Sequence, residues 1–188
     1  MASGSPRRKQ ILSELGIDFL SESVNVDESR RKNESAEVMA VRLAFKKIAA
    51  VDDKVADNFI ILAADTIVSQ QSTIFGKPTS KEHAVEILTQ LSGKRHQVYT
   101  GIALRYKNKM HSELSKTNVY FRKITIEEIN DYYDSGECLD KAGAYAIQGK
   151  GAMFIERIEG SYSGVVGLPI FESINLLASV GWKYLSKN

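Results

Sequence analysis

Residues 59–68 read Phe59-Ile60-Ile61-Leu62-Ala63-Ala64-Asp65-Thr66-Ile67-Val68. From Phe59 to Ala64 every side chain is apolar, which predicts a buried strand that ends at Asp65 and can continue through Thr66–Val68. Upstream, the sequence predicts helices. Ser5 stands at an N-cap position, Pro6 at the first helical position and Gly16 just past the end, with Ile11, Leu12 and Leu15 as the apolar face. Residues 17–26 alternate loosely and predict a strand. Asn33 is the expected cap of a second helix of about four turns. Its apolar stripe reads Val38, Val41, Phe45 and Ile48, and Glu34 and Glu37 fall in the first turn, where the helix dipole favours them.

Downstream, Thr79 and Glu82 have the spacing of a capping box, followed by Ala84, Ile87, Leu88 and Leu91 on one helix face and by Gly93. Residues 96–106 and 110–122 predict an antiparallel hairpin turning near Asn108. A second capping box, Thr125 with Glu128, opens a short helix that ends at Ser135-Gly136. A glycine-rich stretch leads to a strand over Met153–Ile158, and Pro169 opens a last helix running to about Val180. Helices and strands alternate early and a hairpin comes in the middle. The fold class expected is α/β, with a mixed twisted sheet and flanking helices.

Composition bounds the function. The 188 residues, 43% hydrophobic and 26% charged, suit a single domain over residues 1–188. The net charge of +2 is not gathered into a basic stripe, which argues against nucleic acid as a partner. Cys138 is the only cysteine, so there is neither an internal disulfide nor a cysteine cluster for zinc, and a cytoplasmic setting is expected. No apolar stretch reaches membrane-spanning length, so no membrane partner is expected. His83, His96 and His111 have no metal-ligand spacing.

The strongest local clue to chemistry is Ser3-Gly4-Ser5-Pro6-Arg7-Arg8. Two arginines at a helix N-terminus oppose the helix dipole unless an anion docks there. Free amides, the Ser3 and Ser5 hydroxyls and two guanidinium forks together suit a phosphate chain, although an exposed basic terminus also fits. Asp65, at the carboxyl end of a buried strand, can bind a metal or activate water, or cap a turn. Glu28 in a polar loop is a candidate second metal ligand, or half of a solvated acidic pair with Asp27. Lys77 lies between Gly76 and Pro78, in a turn that can hold its charge still beside a phosphate. Lys46 and Lys47 close the second helix and complement its dipole there. In Asp140–Gly149, small residues allow close approach by a ligand, and Gln148 offers the donor and acceptor atoms that suit a base edge.

In order along the chain, these motifs resemble the Maf family of nucleotide pyrophosphatases. The resemblance runs through Ala2-Ser3-Gly4-Ser5-Pro6-Arg7-Arg8, Val26-Asp27-Glu28, Arg42-Leu43-Ala44 ahead of Lys47, and Ala63-Ala64-Asp65-Thr66-Ile67-Val68. It continues through Gly76-Lys77-Pro78, Leu91-Ser92-Gly93-Lys94, Val98-Tyr99-Thr100-Gly101, Lys141 to Gly149 and Val165-Val166-Gly167-Leu168-Pro169. It implies two lobes around a cleft, as in inosine triphosphate pyrophosphatases. It also implies hydrolysis of a nucleoside triphosphate to the monophosphate and pyrophosphate, with a divalent metal cofactor, Mg2+ or Mn2+. Asp65 would be the catalytic acid or base and would hold the metal with Glu28. Arg7, Arg8, Lys47 and Lys77 would bind the triphosphate.

The Lys-Ala-Gly-x-Tyr-x-Ile-Gln-Gly form is similar to the YhdE-type subgroup, which takes dTTP and UTP, and that subgroup's selectivity positions fall on Arg8, Thr66 and Gln148. A homodimer is implied by the same resemblance. Two other functions stay open: a non-catalytic nucleotide-binding regulator of cell division, and the same chemistry on a modified or purine nucleotide. Family members usually carry a short apolar strand before Ala2, where this sequence has Met1 alone, so that either the strand is missing or the true start lies upstream. Weakened support beneath the first helix is therefore expected.

Overall fold

The computed structural model describes residues 1–56 and 59–184. Five strands form one open sheet in the order β2-β1-β3-β4-β5. They are β1 (Ile61–Gln70), β2 (Thr73–Phe75), β3 (Arg95–Tyr106), β4 (Lys109–Phe121) and β5 (Ile155–Glu159). Every strand pair is antiparallel, and the parallel contact among the described residues is the bridge Ala2–Glu22. The helices are α1 (Pro6–Glu14), α2 (Ala36–Ala49), α3 (Asp53–Ala56), α4 (Lys81–Leu91), α5 (Ile126–Asp134), α6 (Tyr162–Val166) and α7 (Ile170–Ser179). Short 3-10 turns occupy Ala142–Ala144 and Gly149–Phe154.

Alternation along β1 sends its side chains to two separate cores. Ile61, Ala63 and Ile67 pack towards α2, whereas Leu62, Ala64 and Val68 pack on the opposite face with α1, α4 and α7. Asp65 and Thr66, as neighbours, therefore address opposite faces of the same strand. The buried run begins at Ile61, because Phe59 is about half exposed. The β3–β4 hairpin closes at Lys107-Asn108, with Lys107 at φ +53. The capping box of Thr125 with Glu128 is complete in both directions.

The structure corrects several expectations. Residues 17–26 form no strand, and their one ladder contact is Glu22 with Ala2. Ser35, not Asn33, caps α2. Asn33 takes φ +58, far from the extended backbone that an N-cap needs. The buried face of α2 is Met39, Ala40, Leu43, Ala44, Lys47 and Ile48, while Val38 points outward. The reason is close packing against Gly101 of β3: a Cβ there would lie 2.4 Å from the Ala40 carbonyl carbon. Small residues must occupy the line of nearest approach, which rotates the valines away. Glu34 lies ahead of the helix, not in its first turn. Ser80 caps α4 in place of Thr79, whose amide instead donates to His83 Nδ1 at 3.2 Å. The Met153–Ile158 strand starts at Ile155, because residues before it close a 3-10 turn. The Ala2 amide donates to the Leu62 carbonyl at 2.8 Å, so the segment ahead of α1 is tied to β1.

Candidate active site

The site lies where β1 loses a neighbour. On one side β3 pairs with it from Ile61 to Ser69; on the other, β2 pairs with it only over Val68–Gln70, and the Ala2 amide meets Leu62. Between those contacts the edge around Asp65–Ile67 opens into a cavity of about 570 Å³, a size suited to a small-molecule ligand. Its lining includes Ser3, Ser5, Arg7, Arg8, Glu28, Lys47, Asp65, Thr66, Lys77 and Gln148. Every residue proposed for substrate, metal or catalysis thus borders one space, although they come from the α1 N-terminus, the loop before α2, α2 itself, β1 and the turns after β2 and α5.

The two lysines closing α2 separate in role. Lys46 reaches outward to Asp27, meeting its carbonyl at 2.9 Å. Lys47 is buried and turns inward, donating to Asp65 Oδ1 and meeting Glu28 Oε1 at 2.8 Å. One ammonium therefore joins the two candidate metal ligands. Burial pushes the Asp65 carboxyl above its usual range, with Lys47 and Arg8 acting in the other direction. Partial burial also works to raise Glu28, but Lys47, Lys77 and Arg8 outweigh it and hold that carboxyl low. A carboxylate pair already matched to a cation suits a hard divalent ion, which needs one or two protein carboxylates when phosphate oxygens and waters complete its shell. No cluster of three or more His, Cys, Asp or Glu side chains that could hold a metal occurs among the described residues.

Arg8 is sunk beneath the cavity floor. Its Nε donates to the Gly167 carbonyl at 2.7 Å, Nη1 to Ser3 Oγ at 3.1 Å and Nη2 to Thr66 Oγ1 at 3.2 Å. Burial lowers its pKa, and attraction to Asp65 opposes this. Arg7 differs: its Nε is buried without a hydrogen-bond partner. Such a donor calls for an acceptor, and the cavity is where an anionic one can arrive.

The Maf-like protein family model matches residues 1–180 of the chain. The chain belongs to the Maf family. Relatives named dTTP/UTP pyrophosphatase include one from Acinetobacter baylyi, 48% identical over 96% of this chain and 98% of its own length. One from Vibrio parahaemolyticus is 42% identical over 94% of both chains, and one from Neisseria meningitidis is 38% identical over 97% of this chain and 94% of its own.

Around the Maf cavity stand residues that the sequence reading left unassigned. Asp140 and Lys141 line it and pair with each other. They could have been noticed, since they open the same small-residue stretch that yields Gln148. Thr100 bonds to Thr66 from behind, and the Glu34–Arg42 pair anchors the loop bearing Glu28. No local signal marks either contact, because both depend on how distant elements meet. His96 is fully buried, its Nε2 is 2.8 Å from the Tyr145 hydroxyl, and burial takes its pKa down to about 3. It belongs to the wall behind Tyr145 and stays uncharged at neutral pH.

Proposed function

We propose that this chain hydrolyses dTTP and UTP between the α- and β-phosphates, releasing the nucleoside monophosphate and pyrophosphate, with Mg2+ or Mn2+ as cofactor. The observation that carries the reading is the joining of Glu28 and Asp65 by Lys47 in a cavity that also meets Arg7, Lys77 and the α1 N-terminus. The names of its relatives support the choice of substrates.

A triphosphate repels an incoming nucleophile, so the site must first offset its charge. Arg7 supplies an unpaired buried donor, and Ser3, Ser5 and Lys77 stand around the same space. They are suited to hold the leaving pyrophosphate and to stabilise the charge that builds on it. Asp65, its pKa raised by burial, is a suitable base for a water molecule. As the water oxygen bonds to the α-phosphorus, Asp65 accepts a proton and the bridging oxygen departs with the pyrophosphate. Lys47 holds both carboxylates in register through this step. Glu28 and Asp65 would hold the divalent ion, which when bound neutralises phosphate charge and orients the chain of phosphates. Gln148 and Thr66 face the cavity where a pyrimidine can be read.

The deciding experiment is pyrophosphate release from a panel of triphosphates, with and without metal. Release from dTTP and UTP that requires metal is expected. Tight nucleotide binding without release would assign a regulator instead, and preference for a purine or modified base would replace the substrate class.

A further inference from the structure

Thr66 and Thr100 lie directly opposite one another on β1 and β3, with hydroxyl oxygens 3.0 Å apart. A hydroxyl has one proton to give and two lone pairs to receive with. Thr100 Oγ1 stands 2.8 Å from the Gly164 carbonyl oxygen, which can only accept, so the Thr100 proton goes there. That carbonyl needs a donor because α6 is only five residues long. The amide four residues on, at Leu168, donates to Ser163 instead.

With its proton spent on Gly164, Thr100 can only accept from Thr66. The Thr66 proton therefore points inward at Thr100. Arg8 Nη2 donates to Thr66 Oγ1 at 3.2 Å, filling one lone pair. A single lone pair remains on Thr66, the partner that lines the cavity; Thr100 is 1% exposed behind it.

We infer that Thr100 is a specificity-positioning residue: by taking the Thr66 proton it makes Thr66 an acceptor only, and so selects bases that present a ring N–H. The inference rests on the reading above, in which Thr66 meets the base. Uracil and thymine carry N–H at ring position 3, whereas cytosine carries a lone pair there. An acceptor facing that lone pair is repelled and leaves both atoms unpaired. A freely turning hydroxyl would satisfy either base by swinging its proton. The Gly164 carbonyl removes that freedom through Thr100. Gln148 cannot supply the same discrimination unaided, since its amide presents a donor or an acceptor according to how it is turned.

The test compares kcat/KM for UTP and CTP in wild type, Thr100→Val and Thr100→Ser. Valine keeps the shape and removes the hydroxyl, which frees the Thr66 proton. The UTP-to-CTP ratio should fall about tenfold in Thr100→Val and stay within about twofold of wild type in Thr100→Ser. General damage to the fold would lower both substrates together and leave the ratio alone. A wild-type preference that survives Thr100→Val overturns the relay. Wild-type protein that uses UTP and CTP alike overturns the relay together with the assignment of Thr66 to the base. Should Thr100→Val not fold, wild-type enzyme with 3-methyl-UTP, which lacks the N–H, decides the matter. It should be used at least about tenfold less efficiently than UTP, and equal use overturns the inference.

Discussion

Arg42 grips Glu34 with two parallel bonds, Nε to Oε1 at 2.5 Å and Nη2 to Oε2 at 2.7 Å, and the same guanidinium reaches back to the Ser29 carbonyl at 3.0 Å. Arg42 is on α2, and Ser29 follows Glu28. The pair therefore fixes the loop that carries one proposed metal ligand to the helix that carries Lys47. The Arg42 fork, with the Arg31 amide also donating, holds the Glu34 carboxyl down at about 2, below its ordinary 4.5.

A depressed carboxylate pKa contributes stability that is present above the unfolded value and lost as pH falls through the folded one. The Glu34 contribution should be intact above about 4.5 and disappear towards pH 2. Glu34→Gln is expected to cost about 1.5–3 kcal/mol at pH 7, a fall in Tm of roughly 3–10 °C for a chain of this size. The gap between wild type and variant should narrow on acidification below pH 4.5. Urea unfolding at pH 7 and pH 3 checks this, and a gap independent of pH would exclude the ion pair as its source.

Asp65 has the opposite sign. A carboxyl whose folded pKa is raised contributes stability below its unfolded value, and that contribution is lost as pH rises through the folded value. At pH 7 the buried charge is therefore a cost to the fold. Asp65→Asn should lower kcat at least about 100-fold while leaving Tm at pH 7 unchanged or higher. Turnover close to wild type would remove Asp65 from the chemistry, and a large drop in Tm would mean that its charge supports the fold.

Lys46 and Lys47 offer an internal comparison. Lys46 makes a partly exposed pair with Asp27, and such pairs contribute about 0–1 kcal/mol. Lys46→Met should leave kcat/KM within about fivefold of wild type. Lys47→Met removes the cation between Glu28 and Asp65, and a loss of roughly 100- to 1000-fold is expected. Equal effects of the two changes would contradict the division of roles.

Much of this was legible before any coordinates, for definite reasons. The Thr125–Glu128 capping box and the Ala84-Ile87-Leu88-Leu91 face of α4 are local patterns and survive intact, while Ser5-Pro6 marks the start of α1 without a side-chain capping bond. The hairpin was readable because its turn and two long strands are contiguous in sequence. The α2 face was misread because its rotation is dictated by Gly101, more than fifty residues away, through a backbone contact that hydrophobicity does not register. Arg8 read as a phosphate ligand, yet three of its donors go to Gly167, Ser3 and Thr66, contacts that only tertiary structure creates. His96 could have been placed: it falls on the same face of β3 as Val98, Thr100, Ile102 and Leu104, all of them buried.

Gly101 ties the fold to the site most directly, because it stands opposite Asp65 in the β1–β3 ladder and touches α2 on the other side. Any added Cβ would meet Ala40 and Val41 backbone atoms at 2.4–2.5 Å, and backbone cannot step aside as a side-chain tip can. Gly101→Ala must therefore lift α2 off the sheet, at a cost of about 1–3 kcal/mol. Lys47 rides on the same helix, so its bonds to Asp65 and Glu28 should lengthen together, and kcat should fall along with Tm. Gly76, beside Lys77, gives the control: a Cβ there meets nothing within 4 Å and its φ is not positive. Gly76→Ala should keep or slightly raise Tm, by reducing the freedom of the unfolded chain. Thermal melts and steady-state rates on the two variants check the contrast, and a Gly101→Ala protein with normal Tm and activity would refute the close packing that sets the α2 face.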